Sequence, residues 1–172
     1  MELYSGHIDQ FIKETTHNMI SNALTEAFFN YFGYNPPISE KTSWTNSLKC
    51  IKDVFLETGF HDHGIVLEYQ LPLTSRRLDC MICGNDEKRQ GNAVIIELKQ
   101  WEKCKAGYSD KVVTWTGGGN REVLHPSVQV GNYKLYLENN HSVFYERDPV
   151  SLSACAYLHN YMKIPNDPLL LP

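Results

Sequence analysis

Arg77-Leu78-Asp79-Cys80-Met81-Ile82 and, beyond a polar stretch bounded by Gly84 and Gly91, Asn92-Ala93-Val94-Ile95-Ile96-Glu97-Leu98-Lys99 decide how this chain folds. Both read as strands joined by a turn. Side chains on a strand alternate faces, so Val94, Ile96 and Leu98 share one face while Ile95, Glu97 and Lys99 share the other. On the first strand the same rule sets Leu78, Cys80 and Ile82 against Asp79, Met81 and Cys83. Paired as a hairpin, the two strands bring Asp79 and Glu97 to one surface. Two neighbouring carboxylates raise each other's pKa unless a cation sits between them. A hard divalent ion that keeps several waters, Mg²⁺ with Mn²⁺ as its substitute, suits so few protein oxygens. Lys99 then stands where it can orient a water or offset charge on a phosphate. A Glu-x-Lys alone reads far better as a solvated strand-end ion pair, worth only ~0–1 kcal/mol, because matches this short are common by chance. The apolar run Ala93-Val94-Ile95-Ile96 argues against that bland reading, because a central-strand pattern ends in charge at an edge or at a site.

A second group lies downstream. Gln129 and Tyr133, four residues apart, share one face of a helix over residues 126 to 139, which His125-Pro126-Ser127 opens with Pro at an early position. His125 itself stands one turn before Gln129.

Asp79, Glu97-x-Lys99 and Gln129-x-x-x-Tyr133, in this order, resemble the PD-(D/E)XK nuclease superfamily, in its RecB-like branch with a Gln-x-x-x-Tyr helix motif. Leu67-Glu68-Tyr69-Gln70-Leu71-Pro72, Arg76-Arg77-Leu78-Asp79, Ile96-Glu97-Leu98-Lys99-Gln100-Trp101 and His125-Pro126-Ser127-Val128-Gln129 look like the nuclease-like domain that precedes a superfamily 1 helicase-type ATPase in bacterial proteins. The resemblance spans about residues 1 to 165, with Leu78 where the family name has Pro. It implies an α/β fold with a central mixed β-sheet flanked by helices, the restriction-endonuclease-like core. It also implies that Asp79, Glu97 and the Leu98 carbonyl hold the metal, with Gln129 and Tyr133 positioning phosphate or water. A further Glu often completes such sites, and Glu26 and Glu68 are the candidates, with His125 close enough to approach substrate. The expected substrate is nucleic acid, DNA favoured over RNA. The alternatives are a non-catalytic nucleic-acid-binding module serving an attached ATPase and a protein-interaction domain.

Length and charge fit this reading without demanding it. The 172 residues suit one nuclease-like domain, and the net charge of −4 requires any basic footprint to be local. Between Glu97 and Arg121, Lys99, Lys103, Lys105, Lys111 and Arg121 outnumber Glu97, Glu102 and Asp110, and with Arg76, Arg77, Lys88 and Arg89 they make the expected phosphate-facing surface. Five cysteines with no secretory pattern predict a reduced, cytoplasmic protein, and no apolar run approaches the ~20 residues of a membrane span. Cys80-x-x-Cys83 is not read as a zinc site, because a strand points the two thiols to opposite faces.

Apolar spacing predicts one helix over residues 8 to 32 stopped by Gly33, and another over 42 to 58 ending at Gly59. A strand over Ile65 to Leu71 precedes the site strands. Val112 to Trp115 reads as a short extra strand, Thr116-Gly117-Gly118-Gly119-Asn120 as a turn in preference to a mobile flap, and Leu152 to Leu158 as a late strand. The apolar ending Asp167-Pro168-Leu169-Leu170-Leu171-Pro172 is expected to lead into a longer chain, with the ATPase domain beyond.

Overall fold

The computed structural model describes residues 1–170. Among them, eight strands and four α-helices run in the order β1 (Tyr4–His7), α1 (Ile8–Thr16), α2 (Ile20–Phe32), α3 (Ile38–Thr58), β2 (Gly64–Gln70), β3 (Arg77–Asn85), β4 (Gly91–Lys99), β5 (Cys104–Ala106), β6 (Lys111–Thr116), β7 (Gly119–Leu124), α4 (Pro126–Asn140) and β8 (Ser151–Leu158). A mixed five-stranded sheet has the order β1-β2-β3-β4-β8, and β5-β6-β7 form a separate antiparallel sheet. Only the β4–β8 pairing in the large sheet is parallel, with Ile95 opposite Ala154 and Glu97 opposite Ala156. No helix among the described residues is long and apolar enough to cross a membrane.

Helices cover both faces of the large sheet, which is why β4 carries an almost unbroken apolar run. On one face Ile8 and Phe11 of α1, Leu24 and Phe28 of α2 and Trp44, Leu48, Ile51 and Phe55 of α3 pack on Ile65, Leu67, Cys80 and Ile96. The α3 positions recur at helical spacing, so one stripe faces the sheet. Phe11 meets Phe55 edge to face, 5.9 Å between ring centroids. Burying each such side chain contributes roughly 1.5–3 kcal/mol. On the other face Val130, Tyr133 and Leu137 of α4 cover Leu78, Ala93, Ile95 and Leu152. Cys80 and Cys83 belong to opposite layers, as strand alternation requires.

Several expectations are corrected. The apolar stretch over residues 8 to 32 is two helices, broken at His17-Asn18-Met19 with Asn18 at φ 56°. Thr15 and Thr16 weaken the helix, and Asn tolerates the left-handed turn that follows. The next helix begins at Ile38 rather than 42, directly after Pro37, and ends as expected on Gly59 in the left-handed conformation. Strand β1 was not foreseen, since Tyr-Ser-Gly-His carries no apolar alternation; it forms the edge of the sheet on β2. Two partners, β5 and β7, flank the extra strand read at Val112 to Trp115. The glycine run is the tight turn between β6 and β7, with Gly117 at φ 58° and Gly118 at φ 83° between the paired Thr116 and Gly119. Positive φ at both central residues is the geometry a two-residue hairpin favours.

The chain ending is also more than an apolar tail. Asp167 is buried and accepts hydrogen bonds from the Tyr161 hydroxyl (2.9 Å) and the Leu169 and Ile164 amides (3.0 and 3.1 Å). Leu171 and Pro172 lie outside the described residues.

Candidate active site

The hairpin of β3 and β4 is regular from Asn85↔Gly91 to Cys80↔Ile96 and then opens. At the next position the Asp79 side chain takes over from the backbone, its Oδ2 accepting the Leu98 amide at 2.7 Å. On the other flank, Glu68 of β2 sits opposite Asp79 between the pairs Leu67↔Cys80 and Tyr69↔Leu78, with φ at +52°. A non-glycine residue held left-handed inside a strand costs about 1–3 kcal/mol and marks an over-determined position. Alternation reverses there in both strands. Leu67 and Cys80 pack into the α1–α3 layer, whereas Tyr69 and Leu78 pack into the α4 layer. Leu78 therefore shares a layer with Met81 and Cys83, correcting the strict alternation expected for β3.

This kink and the opened ladder bring Glu68, Asp79 and Glu97 to one cavity of about 560 Å³, which Trp44, Ser43, Leu98, Lys99, Trp101 and Trp115 also line. Each acid is held differently. Glu68 is buried, accepts Trp44 Nε1–H at 2.8 Å and lies 3.5 Å from Arg77 Nε. Glu97 is 2% exposed, and its Oε1 accepts from both Lys99 Nζ and Gln129 Nε2 at 2.6 Å. Its Oε2 is buried with no hydrogen-bond partner. A buried carboxylate oxygen left bare is costly unless a cation or a water meets it.

Asp79 also disfavours the charge of both glutamates. Burial first, then the charge of Asp79, pushes Glu68 up to about 8 and Glu97 up to about 7, against the opposing pull of Arg77 on the one and Lys99 on the other. Burial raises Asp79 too, while Lys99, the Leu98 amide and Arg77 work the other way. With both glutamates raised toward neutrality, their protonated forms are favoured unless a cation offsets the charge. Among the described residues no three or more His, Cys, Asp and Glu side chains form a ready-made metal cage. Magnesium needs none, since one or two carboxylates with water and phosphate complete its shell. The bare Oε2 of Glu97 beside Asp79 fits that donor set.

Gln129 and Tyr133 reach the same acids from α4. The Gln129 amide bridges Glu97 and the Tyr133 hydroxyl, the latter at 3.0 Å. Burial and the charge of Glu97 raise the Tyr133 pKa, and the Gln129 hydrogen bond and Arg76 lower it. Two proposed participants fall elsewhere. Glu26 is exposed on α2 and does not line the cavity. His125 caps α4, its Nδ1 accepting the Ser127 amide at 3.2 Å.

The basic surface is smaller than expected. Arg77 is half-buried, bonded to Glu40 and lying over the rings of Phe28 and Phe32, so it is a structural cation rather than a phosphate contact. Lys88 and Arg89 occupy the far hairpin tip, roughly 20 Å along the strand from Glu97 at ~3.3 Å per residue. Lys111 pairs with Glu122 at 3.4 Å. Trp44 and Arg77 both serve Glu68, and the interrupting charge in Leu67-Glu68-Tyr69 is the sequence signal that could have led to both.

Comparison of the chain with family models, with curated proteins and with solved structures finds no match.

Proposed function

We propose that this chain is a metal-dependent nuclease of the PD-(D/E)XK type, built on a restriction-endonuclease-like core and acting on DNA in preference to RNA. One observation carries the reading. Gln129 of the downstream helix donates directly to Glu97 of the Glu-x-Lys strand, joining two sequence motifs 32 residues apart into one site around buried acids. Asp79 and Glu97 would hold the metal, with the Leu98 carbonyl and Glu68 beside them. A divalent cation there supplies Lewis acidity to a phosphate oxygen and lowers the pKa of an attacking water. Lys99 offsets charge on the reacting phosphate, Gln129 fixes the Glu97 carboxylate, and Tyr133 fixes Gln129. An attached superfamily 1 ATPase is the partner this assignment proposes.

A binding module without catalysis is the second reading, and one feature favours it: Lys99 closes on Glu97 and lies 5.6 Å from the Trp101 ring instead of standing free in the cavity. Incubating labelled single-stranded DNA, duplex DNA and RNA with Mg²⁺, Mn²⁺ or a chelator separates the two. Cleavage is expected with either metal and not with the chelator. Binding without cleavage under every condition selects the module.

The Gln129–Tyr133 bridge makes its own prediction. Gln129→Ala and Tyr133→Phe should each slow cleavage by about 10-fold or more, the scale of residues that orient metal ligands. Because one amide serves both contacts, the double variant should lose less than the sum of the single free-energy losses. Additive losses would place the two side chains in separate environments.

A further inference from the structure

The small sheet does not hold the acids, yet its strand β6 walls their cavity through Trp115 and Thr116. Alternation explains what it presents. Val112, Thr114 and its cross-strand partner Cys104 are buried, and Cys104 Sγ lies 3.3 Å from the Tyr161 hydroxyl. Val113 and Trp115 take the opposite face, joined there by their cross-strand neighbours Lys105, Glu122 and Asn120. Trp115 is 66% exposed. Beyond it lies a second cavity, also about 560 Å³, lined by Gln100, Glu102, Lys103, Lys105, Val113 and Asn120 among others. Gln100 and Trp115 line both cavities, so the exposed indole stands between a lysine-bearing face and the acids.

We propose that this face binds a single-stranded polynucleotide, with a base stacked on Trp115 and phosphates on Lys103 and Lys105, and leads the strand into the acidic cavity. The inference rests on the nuclease reading and specifies the form of its substrate. A ligand that alternates flat aromatic and anionic groups matches an isolated indole flanked by ammonium groups. In a duplex the base faces are covered by stacking and cannot meet Trp115. A protein partner fits less well, because the apolar surface is the Trp115 ring and the half-buried Val113, bordered by Thr116, Asn120, Glu102 and the lysines, not a contiguous patch of several hundred Å². Glu122, the other acid on this face, is occupied by Lys111 at 3.4 Å and the Tyr108 amide at 3.1 Å.

Fluorescence anisotropy with labelled oligothymidine, an abasic strand of equal length and a duplex, all with chelator present, tests the proposal without requiring cleavage. Trp115→Ala should weaken oligothymidine binding by about tenfold or more, and Trp115→Phe should retain most of it. The abasic strand should bind parent and Trp115→Ala alike. Replacing Lys103 and Lys105 together with Ala should weaken both strands and reduce the salt dependence. Trp115→Ala binding oligothymidine as tightly as the parent, a parent preferring duplex, or a parent binding no strand would each overturn the inference. A parent that binds through Trp115 but never cleaves leaves it standing and removes the nuclease reading. A parent that cleaves while Trp115→Ala binds normally does the reverse.

Discussion

Asp79→Ala should abolish Mg²⁺- or Mn²⁺-dependent cleavage, a loss on the order of 10³-fold, the upper end of the scale at which a single group stabilising transition-state charge is missed. The fold should survive. Asp79 closes the opened ladder only through the Leu98 amide, and leaving that donor unpaired costs about 1–3 kcal/mol. Removing Asp79, whose charge raises both glutamates, offsets part of this cost. Glu97→Ala should be equally inactive, because it deletes the bare Oε2 together with the anchor for Lys99 and Gln129. Lys99→Ala should behave differently, losing turnover while calorimetry still detects Mn²⁺ binding. The 2.6 Å contact from Lys99 to Glu97 gives that comparison its force. If Lys99→Ala loses metal as completely as Asp79→Ala, the lysine is a structural partner of Glu97. If Asp79→Ala or Glu97→Ala cleaves as the parent does, the assignment of the site is wrong.

The meeting of Asp79 and Glu97 at one cavity was legible because local pattern and tertiary structure agree around them. A continuous apolar strand ending in Glu97-Leu98-Lys99 and a helix opened by His125-Pro126 leave few alternatives, and the central mixed sheet follows from their order. Glu68 was harder to place. Its carboxylate reaches the cavity where left-handed backbone in β2 coincides with reversed alternation in β3, and neither is coded by a turn residue at positions 67 to 69. Arg77 was misread for a related reason. Arg76-Arg77 looks like surface charge, and only the approach of Glu40, Phe28 and Phe32 from earlier helices buries the second guanidinium. The break at Asn18 is different, since Thr-Thr-His-Asn does carry the signal and the apolar stripe merely outweighed it. With three residues β5 offers too few positions to alternate, and Gly-Asn-Arg-Glu-Val-Leu of β7 places no apolar residue before Val123.

Without divalent cation, the protein should lose stability as pH rises from about 4.5 to about 8, the interval between the usual glutamate value and the raised values of Glu97 and Glu68. Below that interval both folded and unfolded chains hold the protons and the site contributes no penalty. Within it the folded chain keeps protons that the unfolded chain has released, so each increment of pH favours unfolding. Above it the acids are charged, buried and close together, and the full cost remains. The Glu97 displacement from 4.5 to about 7 corresponds to about 3 kcal/mol, which sets the scale for the whole interacting cluster. For a chain of this length that is a fall in Tm of roughly 6–12 °C. Glu68→Gln isolates the effect from other titrating groups, because its amide oxygen can still accept from Trp44 while the charge is gone. Its melting temperature should fall with pH by less than the parent's, the remaining fall being that of Glu97. Saturating Mn²⁺ should restore the parent at pH 8 by a similar amount, as expected for a ligand about 100-fold above its Kd that binds only the folded state. Should parent and Glu68→Gln fall in parallel and Mn²⁺ leave both unmoved, the three acids would not be acting as one site, and the metal assignment would lose its electrostatic basis.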